Sequence, residues 1–217
     1  MLVIDELQYI PETQLAALIT ALHRANQKQL PVTLVAAGLP QLLGQMGRAK
    51  SYAERLFEFV PIGPLDPISA SQALCVPAEQ EGVSYTEEAI MEITSRTEGY
   101  PYFLQEWGKH AWSAADESPI DIDDARRATE IALAELDASF FRVRYDRLTP
   151  SEKRYMRAMA ELGPGPHRSS DIAEMLGRSI NTVAPVRAKL IEKGMIYSPA
   201  HGDTAFTVPL FDGFMKR

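Results

Sequence analysis

Leu2-Val3-Ile4-Asp5-Glu6 opens the chain, and its reading decides the fold. A short apolar run closing on two adjacent carboxylates reads as a buried strand with its acids at the tip. Magnesium takes oxygen ligands and keeps several waters, so Asp5 suits an outer contact to such an ion. Glu6 then stands where a base polarises an attacking water. The plain structural reading is an acidic pair leaving a strand tip into solvent. Phosphoryl transfer also needs a loop G-x-x-x-x-G-K-[ST], whose backbone N–H groups and lysine cradle the phosphates. That pattern occurs nowhere in the 217 residues. The chain therefore reads as the back part of a nucleotide-driven switch, without its phosphate grip.

Outward from this stretch, residues 32–37 (V-T-L-V-A-A) form a second apolar run of the parallel-sheet kind. Between the two, Leu15, Leu18, Ile19 and Leu22 recur at helical spacing over residues 13–29, and Pro31 stops the helix. Strand, helix, strand is a βαβ crossover. A helix over 39–55 follows, then an apolar run at 56–65. Pro61 and Pro64 exclude a helix there, so that run is predicted as a third strand.

Beyond Pro67 the pattern is helical. Helices are predicted over 69–81, from a capping box Ser84-x-x-Glu87 to Gly99, from Pro101 to Trp112, and over 123–147. Residues 113–121 read as a linker. Thr149-Pro150-Ser151-Glu152 is a second capping box, opening a helix that runs to Leu162. Helices at 170–176 and 179–193 then flank the turn Gly177-Arg178, and strands at 195–198 and 205–209 close a hairpin. Three helices and a hairpin make a winged helix-turn-helix.

Composition narrows the function classes. No apolar run approaches the roughly 18 residues of a membrane span, and the start lacks the pattern of a signal peptide, so a cytoplasmic protein without membrane partners is expected. One cysteine, Cys75, excludes an intrachain disulfide, and the four histidines are scattered, which argues against zinc. No nucleophile elbow and no H-E-x-x-H is present. Charge divides the chain: residues 1–149 hold 12 Lys/Arg against 22 Asp/Glu, and residues 150–217 hold 10 against 7. The basic last third permits contact with nucleic acid without requiring it.

Three stretches carry a resemblance: L-V-I-D-E-L-Q at 2–8, E-G-Y-P-Y-F-L-Q at 98–105, and K-L-I-E-K-G-M-I-Y-S-P-A-H-G-D-T-A-F-T-V-P-L-F at 189–211. In this order the chain resembles the second half of a bacterial AAA+ ATPase, origin-recognition-like or STAND-like, with a C-terminal winged helix. The implied fold class is mainly α with an incomplete α/β parallel-sheet remnant. It comprises a partial AAA+ core (1–65), an all-α lid (66–118), a linking helix (119–148) and a winged helix-turn-helix (149–217).

By that resemblance Asp5 and Glu6 are the Walker B magnesium acid and water-activating acid. Gly38 falls where the family often has a polar sensor, and glycine has no side chain to donate. Arg55 falls near the arginine finger, against a plain reading as a surface partner of Glu58. Gly99-Tyr100-Pro101 matches the lid motif whose proline packs on adenine; a cap glycine before a helix-starting proline explains it equally. The arginine that many lids place next is replaced by Tyr102 and Phe103.

The resemblance implies ATP and magnesium in a longer parent, a slow switch rather than a vigorous motor, and neither ligand bound by this chain alone. Its partners would be its own missing N-terminal segment or other protomers. In the tail, Arg178, Asn181, Thr182, Lys189 and Lys193 are the DNA-contact candidates. The exposed face of the 179–193 helix (Asn181, Pro185, Ala188, Glu192) is poor in base-reading donors. A protein partner is therefore favoured there over DNA. A nucleotide-independent regulatory or scaffold role is the third reading.

Overall fold

The computed structural model describes residues 1–217. In chain order, strand β1 (Leu2–Ile4) leads through a 3-10 turn at Leu7–Tyr9 into helix α1 (Glu12–Gln27), then β2 (Leu34–Ala36), α2 (Gln41–Ala49) and α3 (Ala53–Leu56). Four helices follow: α4 (Pro67–Gln80), α5 (Glu87–Thr97), α6 (Pro101–Ala114) and α7 (Ile122–Leu136). A π-helical turn at Asp137–Phe141 joins α7 to α8 (Arg142–Asp146). The tail holds α9 (Pro150–Glu161), β3 (His167–Arg168), α10 (Ser169–Met175) and α11 (Ile180–Glu192). It ends with β4 (Ile196–Tyr197), β5 (Asp203–Phe206) and α12 (Phe211–Lys216). The chain is mainly helical with two small sheets, and it divides into two compact units.

The first unit is Met1–Pro61 with Pro164–Thr207. Strands β1 and β2 pair in parallel, Leu2 with Leu34, Val3 with Val35 and Ile4 with Ala36, as the crossover requires. The helical spacing of α1 puts Leu15 and Ile19 inward, where they meet Leu7, Met46 and Ala53 in a buried cluster. Burying one such aliphatic side chain contributes roughly 1.5–3 kcal/mol. The predicted third strand does not form. Residues 57–66 are extended but ladder with nothing, because Pro61 and Pro64 cannot donate. The run instead alternates, with Phe57 and Phe59 packed on the cluster and Val60 exposed. The predicted 39–55 helix is also broken, at Lys50, Ser51 and Tyr52. Ile4 of β1 packs on this cluster, whereas Leu2, Val3 and Val35 stay exposed.

In the tail part of this unit, β5 lies between β3 and β4, antiparallel to both. The hairpin starts earlier on its second strand than the sequence suggested, and the short strand at His167–Arg168 went unpredicted. Val183 and Leu190 form the buried stripe of α11. Pro185 sits inside that helix, where it withholds the N–H that would bond the carbonyl of Asn181.

The second unit is Ile62–Gly163 with Val208–Arg217. Asp66 caps α4, accepting from the backbone N–H groups of Ile68 and Ser69, with Pro67 at the first turn. Hydrogen bonds from Ser69, hydroxyl first and then backbone, hold the Asp66 carboxyl below its usual range. The capping box expected at Ser84 is not there. Thr86 caps α5, its hydroxyl accepting from the Ala89 N–H, while the Ser84 hydroxyl lies 3.4 Å from that of Ser118. Helices α6 and α7 pack closely because α7 presents Ala125, Ala128 and Ala132, all fully buried, against Phe103 and Trp107. The indole Nε1–H of Trp107 donates to Thr129 Oγ1 at 2.9 Å. Thr149 and Glu152 form the expected capping box of α9. The π turn places Phe140 and Phe141 in an aromatic cluster with Phe103, and Phe141 also meets Phe211 and Phe214 of α12.

Candidate functional site

At the tip of β1 the backbone turns sharply, with Glu6 left-handed at φ 54°. An L residue there costs on the order of 1–2 kcal/mol and persists only where its surroundings hold it. Three bonds do so. The Glu6 N–H donates to Asp5 Oδ1 at 2.8 Å. The Leu7 N–H donates to the carbonyl of Ala37, just beyond β2, at 3.0 Å. The Gln8 amide then spans both strand tips: its Nε2 donates to Glu6 Oε2, and its Oε1 accepts from the Leu39 N–H at 3.1 Å. Gln8 is buried, whereas the Asp5 and Glu6 residues are exposed.

Gly38 makes room for this clasp. A Cβ at position 38 would stand 2.7 Å from Gln8 Oε1 and 2.9 Å from Leu42 Cδ2. The position lacking a polar side chain is thus filled by one from Gln8. Sequence reading missed Gln8, although its place two residues after Glu6 was the available signal.

Beside these tips lies a cleft of about 790 Å³, lined by Gln8, Tyr9, Pro40 and Leu43 on one side and Ala188 and Glu192 of α11 on the other. Neither Asp5 nor Glu6 lines it. Arg55 is exposed on α3.

In the second unit, Gly99 has φ +69° and is pressed against the chain entering α4, with its carbonyl accepting from the Leu65 N–H at 2.9 Å. A Cβ at Gly99 would lie 2.4 Å from the Leu65 carbonyl oxygen. Tyr100 caps α6 and packs on Phe103 with ring centroids 4.8 Å apart, while Pro101 begins the helix and is exposed. Arg144 lies over the Phe140 ring at 3.7 Å. Burial pushes its guanidinium pKa down, and the phenols of Tyr100 and Tyr102 act in the opposite direction. A cation is therefore present near this motif from α8, where the sequence offered none directly after Pro101.

The DNA-contact candidates lie along α11 and the turn before it. Arg178, Asn181 and Thr182 are exposed around the turn before α11 and its first residues; the Thr182 hydroxyl is 2.8 Å from that of Ser179. Lys189 is exposed two turns further along, and Lys193 is half-buried at the helix end. Arg187 of α11 is committed to the hairpin. It donates to Thr204 Oγ1, Ser198 Oγ and the Asp203 carbonyl, at 2.8, 2.9 and 2.8 Å. That guanidinium pins α11 to the hairpin.

A family model described as a domain of unknown function, DUF8462, matches residues 138–215. An uncharacterized HTH-type transcriptional regulator of Methanocaldococcus jannaschii, MJ0774, is 23% identical over 214 residues, covering 95% of this chain and 52% of the regulator. Among solved structures, the Walker-type ATPase PABY2304 of Pyrococcus abyssi matches with a TM-score of 0.67 at 16% identity, over 99% of this chain and 62% of that one. The Thermotoga maritima RuvB Holliday junction branch migration motor matches with a TM-score of 0.53 at 17% identity, over 94% and 65%. The chain thus spans about half of the regulator and under two thirds of these two solved chains. In fold, over nearly its whole length, it is similar to the Walker-type ATPase and to the branch migration motor.

Proposed function

We infer that this chain is the Walker B, lid and tail portion of an AAA+ ATPase switch whose phosphate-binding loop lies outside these residues. The observation that carries this reading is the strained Glu6 at the tip of β1, its carboxylate clasped by Gln8, which also bonds the exit of β2. Two exposed carboxylates fit a hard divalent cation, because such ions take oxygen donors and retain waters. Asp5 would supply an outer-sphere oxygen, Oδ2, since its Oδ1 already holds the Glu6 N–H. Glu6 would orient and deprotonate the attacking water, and Gln8 would position Glu6. Arg55 is assigned as the finger reaching a neighbouring protomer's site, and Gly99-Tyr100-Pro101 as the adenine-side lid turn. Magnesium, when bound with ATP, would neutralise charge on the transferring phosphoryl group.

The exposed Leu2, Val3 and Val35 support a further segment, or another protomer, completing the sheet. Calorimetry of this chain with ATP and magnesium tests the assignment of the phosphate grip. No micromolar binding is expected here, and such binding is expected once a Gly-Lys-Thr or Gly-Lys-Ser loop encoded upstream is included. Micromolar binding by residues 1–217 alone would overturn it.

A second reading makes the tail a DNA-binding module, favoured by the HTH-type name of the 23%-identical relative. Helix α10, the turn at Gly177 (φ +61°), α11 and the three-stranded sheet support a winged helix-turn-helix. A protein-docking role agrees better with Arg187 tied into the hairpin and with Pro185, Ala188 and Glu192 on the outer face of α11. Fluorescence anisotropy with duplex DNA at low salt should show only weak binding with a shallow salt slope. Tight binding that falls steeply with salt, as contacts to several phosphates require, would reverse this preference.

A further inference from the structure

A cluster in the second unit plays no part in the nucleotide reading. Glu106 and His110 stand one turn apart on α6, and Glu135 faces them from α7. One ligand atom from each lies within 4.8 Å of the others. His110 Nε2 is 3.3 Å from Glu135 Oε2 and 3.7 Å from Glu106 Oε2. The His110 side chain is only 7% exposed, yet its Nε2 is buried without a hydrogen-bond partner. A buried imidazole nitrogen left unbonded carries a desolvation cost that structures rarely leave unanswered. Here it points between two carboxylate oxygens.

The plain alternative is an ion cluster. Lys109 Nζ lies 3.8 Å from Glu106 Oε2 and 3.7 Å from Glu135 Oε2, and this neutralises the acids. It leaves the imidazole nitrogen without a hydrogen bond all the same. Lys109 is 60% exposed and free to swing out, as is the 55% exposed Glu135.

We propose that Glu106, His110 and Glu135 form a binding site for a divalent transition metal of the zinc class, clipping α6 to α7. One imidazole and two carboxylates are borderline and hard donors, a set that zinc accepts with water in the fourth position. Magnesium and calcium, which take oxygen ligands, are disfavoured by the nitrogen. Ligand bonds of about 2.0–2.2 Å require each side chain to close in by roughly an ångström, which the exposed Glu135 can do. The helices themselves are already held by the Trp107–Thr129 bond and the buried alanine face of α7. Scattered histidines argued against zinc in the sequence. One histidine suffices because a turn of α6 and a second helix supply the rest.

The test is a titration of the full 217-residue chain with Zn²⁺ by calorimetry, and with Co²⁺ by visible absorption. One equivalent should bind, with a cobalt d–d band and a raised melting temperature that EDTA reverses. Glu135→Gln, at an exposed position, should weaken binding at least about tenfold, and His110→Asn should abolish the cobalt band. Lys109→Met removes the competing ammonium and should tighten binding several-fold. Millimolar Mg²⁺ should not compete. The proposal is overturned if neither metal binds, if Glu135→Gln binds as the wild type does, if Lys109→Met weakens binding, or if Mg²⁺ displaces the zinc. If His110→Asn does not fold, the Glu135→Gln and Lys109→Met arms still decide.

Discussion

On the assignment proposed above, Glu6→Gln should abolish most ATP turnover of a chain extended to include a phosphate-binding loop, by the ~10²–10⁴-fold that a positioned general base contributes. The substitution keeps size and shape. Its amide oxygen can still accept from Gln8 Nε2, so the clasp at the strand tip survives while the base is lost. ATP affinity should therefore change little, and the loss should fall on kcat rather than KM. Gln8→Ala makes the converse experiment. It removes the link between Glu6 and the Leu39 N–H without touching the carboxylate, so it should lower kcat by less than Glu6→Gln does. A Glu6→Gln protein that turns over at the parental rate would end the assignment of Glu6, whatever the nucleotide affinity.

Gly99→Ala should destabilise the second unit by roughly 2–4 kcal/mol, combining backbone strain with a steric overlap. Two costs coincide at this residue. Its φ of +69° penalises any L side chain, and a Cβ would approach the Leu65 carbonyl oxygen to 2.4 Å. That oxygen is backbone, so it cannot swing away as a side chain would. Moving it also strains the turn held by the Leu65 N–H bond to the Gly99 carbonyl. Urea or thermal unfolding measures the loss. Gly99→Asn separates the two causes, because asparagine tolerates the left-handed region but still carries a Cβ. If the overlap dominates, the asparagine variant gains nothing. A loss below about 0.5 kcal/mol, the scale of neutral surface changes, would show that the turn relaxes freely. Either way the measurement is made without nucleotide, so it isolates the part of Gly99-Tyr100-Pro101 that serves the fold.

Only part of the candidate site was legible beforehand. Asp5 and Glu6 were placed at a strand tip because a strand's apolar run and its terminal acids are adjacent in sequence. The glycine at 38 was recognised as unable to donate, but its reason, the Gln8 side chain lying over it, joins residues 30 apart and leaves no local trace. Arg187 shows the same limit, since the hairpin that consumes its donors comes from later in the chain.

By itself the sequence determined the elements whose causes are local. The crossover of β1, α1 and β2 followed from hydrophobic period, and the Thr149–Glu152 capping box from hydrogen bonds three residues apart. Tertiary structure alone decided what depends on partners. Residues 57–66 have the alternation of a strand but found no neighbour to ladder with, and two prolines removed the donors that could have recruited one. Ser84 had the spacing of a cap, but its hydroxyl meets that of Ser118, 34 residues on, instead. Glu106, His110 and Glu135 came together only because the small residues of α7 let two helices approach. Local rules act through bonds between near neighbours, whereas these outcomes turn on which distant group arrives first at an unsatisfied one.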